Sequence, residues 1–168
     1  MKQHHVFSFL QRMGKSFMLP IAVLPVAGIF LGVGSSLTNE TTIMALHLSS
    51  ILGQGTFLYS VLILLKKVGN ILFDNLPLIF AVSIALGMSK RRKEVAALAA
   101  IIAFFVMHAT INALLCLDGS IVNGVVSGQV LDGSITWVCG MLSLEMGVFG
   151  GIIVGLGVSY LHNRFYQI

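Results

Sequence analysis

The residues VAALAAIIAFFVMHATINALLCL, Val95 to Leu117, contain no charged side chain. They outrun the roughly 20 apolar residues that a helix needs to cross a hydrocarbon core. Lys90, Arg91, Arg92, Lys93 and Glu94 stand before the run and Asp118-Gly119 after it, so charge marks both of its ends. Working outward, three further apolar runs meet the same criterion. Met18 to Leu37 carries no charge, Ile71 to Met88 is apolar after Asp74 and Asn75, and Met146 to His162 is rich in glycine and closes on Asn163 and Arg164. The whole chain agrees with these runs. Of its 168 residues 57% are hydrophobic and only 10% charged, with a mean hydropathy of +0.96, outside the range of soluble domains. The expected fold is therefore an all-α integral membrane protein of about four transmembrane helices, spanning approximately 18–37, 71–88, 95–117 and 146–162.

Orientation follows from the basic residues. With four spans and the N-terminus inside, Lys2, Arg12, Lys15, Lys90, Arg91, Arg92, Lys93 and Arg164 fall in the cytoplasm, and only Lys66 and Lys67 outside. That eight-to-two division obeys the positive-inside rule. A fifth uncharged stretch, Ile43 to Leu65, is interrupted by His47, Ser49, Ser50, Gly53, Gln54 and Gly55. Counting it as a span levels the division at five to five, so Thr56 to Asn70 is expected to lie along or dip into the outer surface. Both termini are then cytoplasmic. From His4 to Phe17, the residues Val6, Phe9, Leu10, Met13 and Phe17 recur at helical spacing, and an amphipathic helix over 4–17 is expected before the first span. Between Asp118 and Trp137, Asp118-Gly119, Asn123-Gly124, Ser127-Gly128 and Asp132-Gly133 alternate with short aliphatic pairs, a hairpin-like pattern.

Few side chains carry chemistry. The basic residues cluster between apolar runs rather than spreading over a solvated face, which excludes a nucleic-acid binder. Cys116 and Cys139 lack any metal-ligand or redox spacing, and His108 with Asn112 offers no third ligand, so neither a metal site nor a cofactor is expected. No nucleophile, base and oxyanion set is present, and these residues alone predict no catalysis. Asn39-Glu40-Thr41 matches a glycosylation tripeptide, which by itself carries little information. Glu145 is well placed at a helix N-terminus. Asp74 and Asn75, followed by Pro77, are the weak candidates for substrate binding, because an ionisable residue at the edge of a span faces water or a partner, or else caps the next helix. Gly147, Gly151 and Gly155 recur every four residues in the last span, and Gly28 with Gly32 repeats the spacing in the first; such ladders let helices pack closely in lipid.

Four strings add a resemblance. LQRMGKS (10–16), MLP (18–20) leading to LPVAG (24–28), FDNLPLIFA (73–81), and GVFGGII (147–153) leading to NRFY (163–166) occur in this order. Together they resemble the membrane (C) component of enzyme II of the phosphoenolpyruvate-dependent phosphotransferase system, of the glucose, N-acetylglucosamine and maltose type. The resemblance implies a homodimeric permease in the bacterial inner membrane that takes up a sugar, with phosphate passed to it from the cysteine of a B domain. It also implies that the sugar-holding His and Glu lie beyond these residues, so that sugar binds only in the full-length protein and the chain is the scaffold-like N-terminal part of the component. Neither Cys116 nor Cys139 has the surroundings of the phosphorylated cysteine. A small membrane partner of full-length permeases, itself without transport activity, is the alternative reading.

Overall fold

The computed structural model describes residues 2–53, 55–127 and 133–165, and the chain falls into two compact units. One unit is Ile21–Asp74; the other joins Met1–Pro20 to Asn75–Ile168.

In the second unit the chain opens with α1 (Lys2–Ser16), and Phe17 separates it from α2 (Met18–Leu37), which runs on into the other unit. The remaining elements are α6 (Leu76–Met88), α7 (Lys93–Leu117), two hairpins and α8 (Gly147–Phe165). Small residues set the spacing of the helices. Ala81, Ala85, Ala96 and Ala100 are fully buried along α6 and α7, and Phe104, Val138 and Val154 fill the space beside Ala81. α6 and α8 approach most closely at two glycines. A Cβ placed on Gly151 would stand 2.0 Å from the Pro77 carbonyl oxygen, and one on Gly155 would stand 2.7 Å from the Ala81 carbonyl oxygen. Away from this core, Leu98, Ile102 and Val106 of α7 are exposed, the pattern of a helix that faces lipid.

The first unit holds the rest of α2, the short helices α3 (Glu40–Ala45) and α4 (Ser49–Leu52), and α5 (Phe57–Asp74). Ile43, Leu52 and Leu62 form its core. Here too glycine permits backbone contact: Gly34 meets the backbone of Lys66, and Gly69 meets that of Leu31. Asn39 caps α3, its side-chain oxygen accepting from the Thr41 amide at 3.0 Å, so the tripeptide singled out in the sequence is a helix start.

The architecture refines the sequence expectations at three places. The stretch 71–88 is two helices, because Pro77 has no N–H to offer the Phe73 carbonyl and its ring opposes continuation; α5 ends at Asp74 and α6 restarts at Leu76 with proline in its first turn. At 13 residues, about 20 Å, α6 is too short to cross a core of about 30 Å unaided. Of the stretch 56–70, residues 57–70 belong to the continuous helix α5. The chain is also not wholly helical. β1 (Ile121–Val122) pairs antiparallel with β2 (Val125–Val126), and β3 (Ile135–Val138) with β4 (Met141–Leu144). Asn123 and Gly124, and likewise Cys139 and Gly140, have φ between +49° and +87°, the left-handed values that a two-residue hairpin turn requires. The Gly128 and Asp132 positions of the expected turn pattern lie outside the described residues.

Two described stretches are long and apolar enough to cross a membrane, Val6–Leu37 and Lys93–Leu117, and a third if α5 and α6 form one broken span. α8 has the length, but its glycines and the polar turn from His162 to Arg164 dilute it.

Candidate functional site

The helix restart after Asn75 organises the polar groups of the larger unit. Asn75 occupies the cap position of α6, and its backbone carbonyl accepts the first helical bond, from the Ile79 amide at 3.0 Å. Its side-chain oxygen lies 3.7 Å from the Cys139 sulfur, a weak S–H contact that sets the tip of the β3–β4 hairpin against the start of α6. Burial pushes the Cys139 thiol up, so it stays protonated at neutral pH and is a poor nucleophile. Two turns of α8 close the other side, with Gly151 against Pro77. A helix start, a hairpin tip and a glycine face therefore converge within a few residues of Asn75. Broken helices of this kind occur in membranes where protein or a water-filled cavity can satisfy the freed backbone groups.

The same hairpin is pinned along α7. His108 Nδ1 and Ser143 Oγ share a hydrogen bond of 2.7 Å, and Asn112 Nδ2 donates to the Leu142 carbonyl at 2.7 Å, one turn further on. Phe104 meets the His108 ring edge-on at 4.6 Å. His108 is 2% exposed and Ser143 0%, so this serine–histidine pair is closed to substrate and serves to hold a strand on a helix. The hairpin's far end is tied to α8 by Glu145, which accepts from the Thr136 hydroxyl and, at 3.2 Å, from the Gly147 amide, and so caps the helix.

At the opposite end of α8 a second polar clamp holds the α6–α7 connection. Asn163 Nδ2 donates to the Met88 carbonyl at 3.0 Å while its Oδ1 accepts from the Lys90 amide at 2.9 Å. His162 Nε2 bonds the Arg91 carbonyl at 2.8 Å. One asparagine thus satisfies an orphan carbonyl at the α6 C-terminus and a loop amide together.

The residues singled out in the sequence are distributed unevenly over this framework. Asn75 is at the convergence; Asp74 is the exposed last residue of α5, and the cap position that its carboxylate was a candidate for belongs to Asn75. Gly151 and Gly155 lie in the α6–α8 seam. Gly147, with φ +51°, starts α8, and a Cβ there would meet no other helix within 4 Å among the described residues. Gly28 and Gly32 meet nothing within 4 Å among the described residues; the close glycines of α2 and α5 are Gly34 and Gly69, which fall outside any four-residue ladder. The β3–β4 hairpin carries no turn motif in the sequence, since Cys139-Gly140 is not among the usual turn pairs. The run of β-branched and aromatic residues from Ile135 to Val138 is the available signal.

Comparison with known proteins extends the picture over nearly the whole chain. The chain is 39% identical over 163 residues to a protein of Staphylococcus saprophyticus named "PTS system glucose-specific EIICBA component", covering 97% of this chain and 22% of that relative. The chain therefore spans about a fifth of the relative's length. The family model described as "Phosphotransferase system, EIIC" matches residues 14–168, which takes in the helix restart, both hairpins and the clamp at Asn163. The chain belongs to the EIIC family of the phosphotransferase system, a family of membrane domains.

Proposed function

We propose that these residues are the front part of the membrane component of a glucose-type permease, in which sugar uptake is coupled to phosphorylation by an attached or separate B domain. The observation that carries the reading is the family match over residues 14–168, joined to a relative whose printed name combines the C, B and A components. The geometry adds support. A helix that breaks at Asn75 and restarts against a hairpin tip and the glycine face of α8 provides a rigid frame at which a membrane cavity can form. In this reading the residues contribute scaffold; sugar-holding groups come from elsewhere in the full-length protein, and Asn75 is the one candidate here to line its path.

Four membrane crossings are part of the proposal, with the break at Asn75 inside the second, both termini cytoplasmic and the protein resident in the bacterial inner membrane as a homodimer. The basic connection Lys90–Lys93, held by α8, then faces the cytoplasm, where the B domain works. The test is uptake. Cells in which this chromosomal sequence is deleted should lose phosphoenolpyruvate-dependent accumulation of labelled glucose, and the restored gene should return it. Undiminished uptake in the deletion strain, with no other sugar affected, would reject the assignment.

A further inference from the structure

We propose that the cavity between α1, the C-terminal end of α6 and the last turns of α8 is a binding site for an acidic phospholipid. Its volume is about 580 Å³, within the range of small-ligand pockets. Its lining combines two chemistries: Arg12 and Lys90, with Ser8 and Asn163, are basic or polar, and Phe9, Met88, Leu156 and Tyr160 are largely apolar. Among the described residues neither Arg12 nor Lys90 forms an ion pair, and Glu94 is the one acid adjoining the run Lys90–Lys93. Two cations with no ion pair among the described residues, in a lining that is otherwise largely apolar, match a phosphate joined to acyl chains. An acidic peptide would match the cations and leave the apolar lining unused. The surroundings fit a bilayer interface as well: Phe9, Leu10, Tyr160 and Leu161 are exposed next to the cavity, and aromatic and basic side chains together mark the headgroup level. In the orientation proposed above, on which this part of the argument rests, the cavity faces the cytoplasm, where basic pockets between membrane helices hold anionic headgroups.

The position of the cavity gives the lipid a role. Asn163 bridges Met88 to Lys90 and also lines the cavity, so a bound phosphate would tie α1 to the connection that α8 already clamps.

The experiment uses the full-length protein purified in detergent and titrated with dioleoylphosphatidylglycerol or dioleoylphosphatidylcholine, with lipid adducts read by native mass spectrometry. The glycerol lipid should bind more tightly than the choline lipid. Arg12→Gln should weaken it about 5-fold and the double variant Arg12→Gln/Lys90→Gln about 30-fold. Both side chains are exposed and the Lys90 contact to Asn163 is through its backbone, so these variants keep the fold. Leu156→Trp, which fills the cavity with both charges intact, should weaken binding too. Equal affinity for the two lipids, or wild-type affinity in the double variant, overturns the proposal. So does an equal loss in Lys66→Gln/Lys67→Gln, which would reveal a general charge effect, or displacement of the lipid by millimolar inorganic phosphate, which would reveal a site for a free phosphoryl group. Sugar phosphorylation is not read, so this test fails or succeeds independently of the permease assignment.

Discussion

His108 and Ser143 show how polar side chains in an apolar helix protein are used when substrate cannot reach them. Their hydrogen bond is buried, and removing either partner strands the other in a medium without water. His108→Ala and Ser143→Ala are each expected to lower stability by about 1–3 kcal/mol. The double variant should lose less than the sum, with a coupling of about 0.5–3 kcal/mol, measured by thermal unfolding in detergent with Trp137 fluorescence as the signal. Additive losses would mean that the two side chains act separately. The partner of His108 was not legible in the sequence, because Ser143 lies 35 residues away on a strand that no turn motif announced. Asn123-Gly124, by contrast, was legible, since that dipeptide supplies the two left-handed residues a hairpin turn needs. Cys139-Gly140 adopts the same conformation without the preference, and the cost falls on a cysteine held at φ +49°.

At the scale of elements, four-residue glycine spacing alone does not say which glycines meet another helix among the described residues. Gly151 and Gly28 each belong to a ladder in the sequence, yet one faces a carbonyl oxygen and the other meets nothing within 4 Å among the described residues. Spacing fixes which glycines share a helix face; it does not say what lies opposite that face. Gly151→Ala should therefore destabilise the α6–α8 seam by about 1–3 kcal/mol. Gly28→Ala should be neutral or stabilising by up to about 1 kcal/mol, through helix propensity. A loss at Gly28 equal to that at Gly151 would show that Gly28 packs against a second copy of the chain or another part of the full-length protein, both of which the permease proposal allows. The break at Asn75 is visible in the sequence as Pro77, against the apolar density of 71–88; hydropathy counts side chains, whereas helix continuity depends on one missing N–H.

For the molecule as a whole, the long apolar runs made the membrane class legible, while the number of crossings depends on how a helix pair adjoining at Asn75 is counted. Side of the membrane is the sharper prediction. With Cys116 and Cys139 replaced by serine, a cysteine at Asn123, between α7 and α8, should react with a membrane-impermeant maleimide added to intact spheroplasts. One at Lys93 should react only after permeabilisation. Reversed labelling would invert the orientation and move the basic clamp of Asn163 and His162 to the outer face.

The most direct test of the central claim joins the packing to the activity. Inside-out vesicles should be prepared from cells carrying Gly151→Leu in the chromosomal gene, and phosphoenolpyruvate-dependent phosphorylation of glucose measured at matched protein levels. A Leu at Gly151 drives its side chain into the Pro77 carbonyl and forces α6 from α8, so the account predicts a fall of at least about tenfold. Wild-type phosphorylation by a properly expressed Gly151→Leu protein would contradict it, and would mean that this helix seam is not the frame on which the permease works.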